Sequence, residues 1–279
     1  MAKKPYKKKK KKQSNRKIEQ KASAFRRFPS VKVREGSEEE GMRLNKYVAH
    51  CGVCSRRQAA DEVKNGHVMV NDKVVLEPFY QVAAGDVVKY KGKVIKPEAK
   101  KVYYLMNKPN NYITTTSDEK GRRTVMDIVK KKVKERVFPV GRLDRQTTGL
   151  LLFTNDGDLS LKMTHPSYEM TKVYNVGLDR PIAEEHFNAI RAGFKLEDGP
   201  VEVDSLHIRP NRTPQDLVIE LHIGRNRIVR RIFAHFGYTV EKLDRVYLGG
   251  LTKKDLPRGY IRPLSEQEVI MLKHFSKKK

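Results

Sequence analysis

The sequence predicts an α+β protein: a small α/β unit followed by a larger one with a mixed, mainly antiparallel central sheet flanked by helices. Three observations predict it. Residues 1–40 carry 15 basic and 5 acidic side chains among Ser and Gln, a composition that cannot bury enough surface to offset the entropy of ordering, so this stretch is expected to be a disordered basic arm. At Gly41 the texture changes to helical periods and a hairpin that runs to residue 97. Beyond it, residues 98–279 hold Leu150 to Phe153, an unbroken apolar run bounded by Gly149 and by Asn155, Asp156 and Gly157, which is the signature of a short strand covered on both faces. With 38% apolar residues, a chain of 279 can bury a sizeable core.

The elements of the first unit follow in order. In "RLNKYVAHCGVCSRRQAADEVKNGHVMVNDKVV", Leu44, Val48 and Ala49 share one helical face, and Ser55 can cap a second helix running through Ala59, Ala60 and Val63. Gly66 ends that helix, and the hairpin turns at Asn71 and Asp72. Arg43, Lys46, Arg56 and Arg57 are left on the exposed side as one candidate basic surface. Cys51 and Cys54 form a single C-x-x-C beside His50 and His67. A zinc site wants four ligands and a thioredoxin-like motif wants a preceding strand, so the expectation is half-buried turn residues and no metal. Residues 97–101, PEAKK, are expected to be a linker.

In the larger unit, "VYYLMNKPNNYITTT" predicts two strands flanking a turn at Pro109, Asn110 and Asn111, and "RTVMDIVKKK" an amphipathic helix. The stretch "VGRLDRQTTG" then sets Asp144 between Arg142 and Arg145 in the loop feeding the covered strand, where rigid scaffolds commonly present catalytic groups. By itself such an acid is more readily explained as a surface ion pair with either arginine, which stabilises little. Leu217, Ile219, Leu221 and Ile223 alternate on one face of an expected antiparallel strand. On the following helix, Ile228, Val229, Ile232, Phe233 and Phe236 span about 100 to 240 degrees from Arg227, while Arg227, Arg230 and Arg231 lie opposite. Arg231 is expected to be a solvated cation on that face.

Charge bounds the partner. Fifty-nine Lys and Arg against 33 Asp and Glu give a net charge of +26, of which the arm supplies only +10, so the folded part is itself basic and a polyanion is its natural partner. No stretch approaches the roughly 20 apolar residues of a membrane span, and "MAKKPYKKKKKK" lacks the apolar core of a secretory signal. The expectation is a cytoplasmic protein, and two cysteines fit a reducing compartment.

Two resemblances sharpen this reading. Arg43, Leu44, Lys46, Tyr47, then Ser55-Arg56-Arg57, then Gly66, Val70 and Asn71 resemble the alpha-L RNA-binding motif of a small-subunit ribosomal protein (RLDKYLA, SRR, G-x-V-x-VN) over residues 42–97. That likeness implies RNA binding through Arg43, Lys46, Arg56 and Arg57. "GRLDRQTTGLLLFTNDGDL" resembles the signature GRLDxxTxGLLLxTNDG of the RsuA and RluB branch of pseudouridine synthases, with Asp144 on the essential aspartate. Asn107-Lys108-Pro109 resembles the NKPxG segment, with Asn111 where Gly is usual. "HPSYEMTKVYNV" puts Lys172 and Tyr174 on a KxY motif, and "GRNRIVRRIF" is similar to GRNRQVRRMF, with Ile228 in place of Gln.

The resemblance, spanning residues 102–262, implies a bacterial-type isomerase that converts a uridine of ribosomal RNA to pseudouridine, with a large-subunit target favoured by "LPRG" at 256–259. Asp144, Tyr174 and Arg230 are implied as catalytic: the acid stays ionised to attack the anomeric carbon or remove the neighbouring ribose proton, Arg230 aligns it, and Tyr174 stacks on the uracil. Arg142, Asn107, Lys108, Lys172, Arg225 and Arg227 are implied as substrate-binding. The expected partner is ribosomal RNA or a ribosomal subunit precursor, met by a monomer with no cofactor, no metal and no membrane. The alternative from another class is a non-catalytic RNA-binding ribosome-assembly factor that keeps the fold without the chemistry.

Overall fold

The computed structural model describes residues 41–98 and 100–274, so the expected basic arm lies outside the described residues. The first unit packs helix α1 (Leu44–His50) against α2 (Arg56–Lys64), beside a four-stranded antiparallel sheet. Strand β1 (Met42–Arg43) pairs with β4 (Gln81–Val82), while β2 (Val68–Val70), β3 (Lys73–Val74), β5 (Val88–Tyr90) and β6 (Lys93–Val94) make that sheet in the order β3-β2-β5-β6. Leu44, Val48, Ala59, Val63, Val68, Val70, Val82 and Val88 form its core; Ala49 is only half-buried at the edge.

Local chemistry sets the boundaries. Ser55 Oγ accepts from the Gln58 amide at 3.3 Å and the Ser55 amide donates to Gln58 Oε1 at 3.1 Å, a reciprocal cap on α2. Gly66, with φ +75°, follows the last turn, and Asn71 and Asp72, with φ of 50° and 63°, make the tight hairpin.

The second unit is built on one nine-stranded sheet. Its strands are β7 (Tyr103–Lys108), β8 (Phe138–Val140), β9 (Thr148–Thr154), β10 (Lys172–Leu178), β13 (Ser205–Ile208), β14 (Asp216–Leu221), β15 (Val240–Leu248), β16 (Leu251–Thr252) and β17 (Ile261–Pro263). The order is β13-β14-β10-β15-β9-β7-β17, with β8 on β9 and β16 on β15. Only the β9–β15 pair is parallel, so the sheet is mixed and mainly antiparallel. A separate hairpin joins β11 (Phe194–Leu196) to β12 (Gly199–Val201).

Every residue of β9 is buried. Leu151 and Phe153 enter the large core with α3 (Val125–Val129) and α6 (Ile228–His235), whereas Leu150 and Leu152 enter a second core with α4 (Gly157–Thr164) and α7 (Glu266–Lys273). Each such side chain contributes roughly 1.5–3 kcal/mol by leaving water. Helix α5 (Glu184–Ala192) anchors in the first core through Ile190.

Two expectations are corrected here. The second strand expected after the Pro109 turn does not form: the chain makes a single bridge, Ile113 to Thr124, because both edges of β7 are already taken by β9 and β17. The alternating strand ends at Leu221, leaving Ile223 beyond it in the turn that leads to α6.

The two units touch. Around the expected linker, the Glu98 amide donates to His50 O at 2.9 Å and the Asn155 side chain to Lys100 O at 2.9 Å, while Arg136 Nη1 donates to Cys54 O at 2.6 Å. No helix among the described residues is long and apolar enough to cross a membrane.

Candidate active site

The loop from Gly141 to Thr147, between β8 and β9, is tied down from below. The fully buried Lys108 amine donates to the carbonyls of Asp144, Arg145, Thr147 and Pro109 at 3.1, 3.3, 2.7 and 3.2 Å. Thr114 Oγ1 donates to Leu143 O at 2.8 Å and the Asn111 amide to Arg145 O at 2.9 Å. Burial pulls the Lys108 amine down to about 8, with the nearby charge of Asp144 opposing and that of Arg258 adding to the effect. Lys108 was expected to bind substrate; it holds the loop instead. Asn107 is corrected likewise: it is buried, its amide nitrogen donating to Leu256 O at 2.9 Å, and it does not line the cavity.

Asp144 faces a cavity of about 440 Å³ that Arg142, Lys172, Tyr174, Arg225 and Arg227 also line, although they come from three separate stretches of chain. Arg227 Nη1 donates to Asp144 Oδ2 at 3.2 Å, and Arg230 Nε stands 3.9 Å from the same oxygen. Arg230, expected to align the acid, meets it as an ion pair, and the hydrogen bond comes from Arg227, which was expected to bind substrate. Arg227 precedes the first turn of α6 with φ +48°, so it is off the helical wheel on which the sequence placed it. Arg230 donates from Nη1 to Val240 O and keeps Nε and Nη2 buried without hydrogen-bond partners. Its burial, then the charge of Arg227, pulls its guanidinium pKa down while Asp144 opposes.

Arg231 is not a free solvated cation. It makes a two-pronged bond to Asp198 at 2.7 and 2.8 Å, and Arg225 stands 3.5 Å from the same carboxylate. Asp198 is held at about 2, chiefly by Arg231.

Tyr174, on β10, is 8% exposed at the cavity wall, and Lys172, two residues before it, donates to Met170 O at 2.8 Å and His222 O at 2.7 Å. Burial brings the Lys172 amine down to about 8, Arg245 adding to the effect and Asp204 opposing it.

Sequence reasoning missed Arg245. It is 4% exposed, lines the cavity from β15 beside Tyr174, and donates from Nε to Leu150 O at 2.8 Å. The buried positions of β15, Val240, Leu243, Arg245 and Leu248, do not follow a simple alternation because the β10–β15 register shifts twice, so a period of two gave no signal.

In the first unit Arg56 and Arg57 are exposed, and Arg43 lies over the Phe79 ring at 5.5 Å. Lys46 differs from the expected free surface cation: its amine meets Asp158 of α4 at 3.1 Å. Cys51 and Cys54 are unbonded and half-buried, as the turn reading expected, and burial pushes the Cys51 thiol up to about 12.

With this geometry in place, comparison with known proteins is informative. A family model described as RNA pseudouridylate synthase matches residues 102–235, and the S4 domain model matches residues 42–88. The chain is 38% identical to the ribosomal large subunit pseudouridine synthase B of Bacillus subtilis, over 83% of this chain and 95% of that protein. It is 36% identical to a dual-specificity RNA pseudouridine synthase of Escherichia coli, over 84% of this chain and 79% of that one. A crystal structure of a pseudouridylate synthase superposes with a TM-score of 0.60 at 27% identity, covering 83% of this chain and all of the other.

Proposed function

We propose, since this chain belongs to the family of RNA pseudouridylate synthases, that it isomerises one uridine of ribosomal RNA to pseudouridine. The observation that carries the reading is the single carboxylate of Asp144, held by Arg227 and Arg230 on the wall of a cavity that also presents Tyr174. The similarity to RNA pseudouridine synthases supports the substrate, and the Bacillus subtilis relative, a ribosomal large subunit pseudouridine synthase, favours the large subunit.

Isomerisation breaks the bond between uracil N1 and ribose C1′, turns the base, and rejoins it through C5, with positive charge developing at the sugar as in glycoside cleavage. Asp144 meets that charge, either bonding to C1′ or taking the ribose 2′ proton. Arg227 and Arg230 favour its charged form and aim it. Tyr174 stacks on the base and assists loss of the C5 proton. The uracil that leaves is also the nucleophile that returns, so the reaction needs no redox partner, group donor or second carboxylate. We read the protein as a cytoplasmic monomer that works without a cofactor.

A base inside a helix cannot reach Asp144, so the target nucleotide must be flipped out. The first unit, through Arg43, Arg56 and Arg57, grips neighbouring RNA, and Arg142 and Arg225 hold the backbone at the mouth of the cavity.

The test is to incubate the protein with unmodified ribosomal RNA transcripts and map pseudouridine. Asp144→Asn, close to isosteric, should bring turnover to background with RNA affinity unchanged. Preserved binding with no product from the unaltered protein would favour the assembly-factor reading instead.

A further inference from the structure

Two buried polar atoms of residues that line the cavity lack partners. Arg245 Nη2 and Thr147 Oγ1 make no hydrogen bond, although their residues are only 4% and 2% exposed and both line the cavity. A buried donor left unpaired costs about 1–3 kcal/mol, more when it is charged. The carboxylates nearby are engaged elsewhere: Asp144 by Arg227 and Arg230, and Asp204 by His222 at 2.7 Å. Lys172 and Arg245 are close enough for the charge of one to act on the other. Arg245 and Lys172 thus put positive charge, and Arg245 and Thr147 unpaired polar atoms, just behind the cavity wall.

The geometry points to Arg245 as a catalytic residue: its Nη2, with Thr147 Oγ1 and supported by Lys172, forms an anion hole for the departing uracil. This assignment rests on the isomerase function proposed above. When N1–C1′ breaks, the electron pair stays on N1 and the charge spreads onto the uracil O2 and O4. Arg245 and Thr147 donate to those oxygens while the ring turns. The C5–C1′ bond then forms, the C5 proton leaves, and N1 takes up a proton, so substrate and product are isomers.

Position separates this role from phosphate binding. Arg142 and Arg227 are exposed at the mouth, whereas Arg245 is buried and pairs in strand register with Tyr174, the residue proposed to stack on the base. The Nε bond to Leu150 O fixes the guanidinium before substrate arrives, the condition under which a dipole or charge stabilises a developing anion without reorganising.

The test compares two transcripts of the same ribosomal RNA, one containing uridine and one 5-fluorouridine, in single-turnover assays that read formation of the C5–C1′ bond, the last step the two share because fluorine at C5 cannot leave as the proton does. Fluorine stabilises the uracil anion and lessens the need for the hole. Arg245→Met should slow the uridine reaction by about 10²–10³-fold, with RNA affinity unchanged, and its loss on 5-fluorouridine RNA should be smaller by about tenfold, with Arg245→Lys intermediate. Equal losses on both transcripts, or a loss confined to RNA affinity, would overturn the anion hole. If Arg245→Met does not fold, the near-isosteric Thr147→Val and the charge-retaining Arg245→Lys carry the same comparison. Failure of the unaltered protein to act on either transcript overturns the isomerase reading and the hole with it, whereas normal wild-type turnover with equal mutant losses overturns the hole alone.

Discussion

Lys172 shows how burial can turn an ordinary side chain into one that responds near neutral pH. An exposed lysine holds its proton to about 10.5, but burial, with Arg245 adding, brings this amine to about 8. Below pH 8 the amine is charged in both folded and unfolded chains. Between about 8 and 10.5 the unfolded chain keeps the proton that the folded chain has released, so the burial penalty is relieved and this group's contribution to stability rises with pH. In the proposed anion hole the rate has the opposite sign: it falls as the ammonium is lost. We therefore expect the single-turnover rate to decline above about pH 8 and Lys172→Arg to move that decline upward. Lys108 is depressed to a similar value, so it is the substitution that identifies the group; a decline unmoved in Lys172→Arg would remove Lys172 from the chemistry. Asp144, Tyr174 and Lys172 were all legible as candidates because each lies in a short motif. That Lys108 and Asn107 sit behind the loop was not, because motif membership does not say which way a side chain points.

At the scale of elements, the start of β9 decides whether the loop before it can be held. Gly149 has φ +110°, and a Cβ there would lie 2.2 Å from Arg245 O and 2.5 Å from Arg245 N. Gly149→Ala should therefore destabilise the protein by on the order of 3 kcal/mol, through backbone strain and overlap together, read as a fall in the thermal midpoint. A midpoint within a degree or two of the parent would show that β9 and β15 can separate there. Elements with local causes were legible: the Ser55 cap, the Asn71–Asp72 turn and the unbroken run of β9. The missing strand after Pro109 and the left-handed Arg227 were not, since strand partners and the conformation before a helix depend on chain that is distant in sequence.

For the whole molecule, the question is how the basic first unit serves the cavity in the second. Lys46 and Asp158 join the units through an exposed ion pair, worth about 0–1 kcal/mol at most, beside the bonds made by Arg136 and Glu98. In the proposed RNA grip, each exposed arginine releases about one counterion from the nucleic acid. Arg56→Ala and Arg57→Ala should each reduce the slope of log affinity against log salt by about 0.7–0.9, with the rate at saturating RNA unchanged. Lys46→Ala should change the slope less, because its amine already has a carboxylate; an equal change for all three would mean that the pair opens on RNA. The sequence by itself determined the two kinds of unit, the buried central strand, the acid in front of it and the affinity for a polyanion, because composition, periodicity and short motifs act over a few neighbouring residues. Only the tertiary structure decided that Arg227 bonds the acid, that Lys108 supports its loop, and that Arg245 lines the cavity with a buried, unpaired nitrogen. Those outcomes depend on strand register and on packing between segments 36 to 95 residues apart, and no local pattern encodes them.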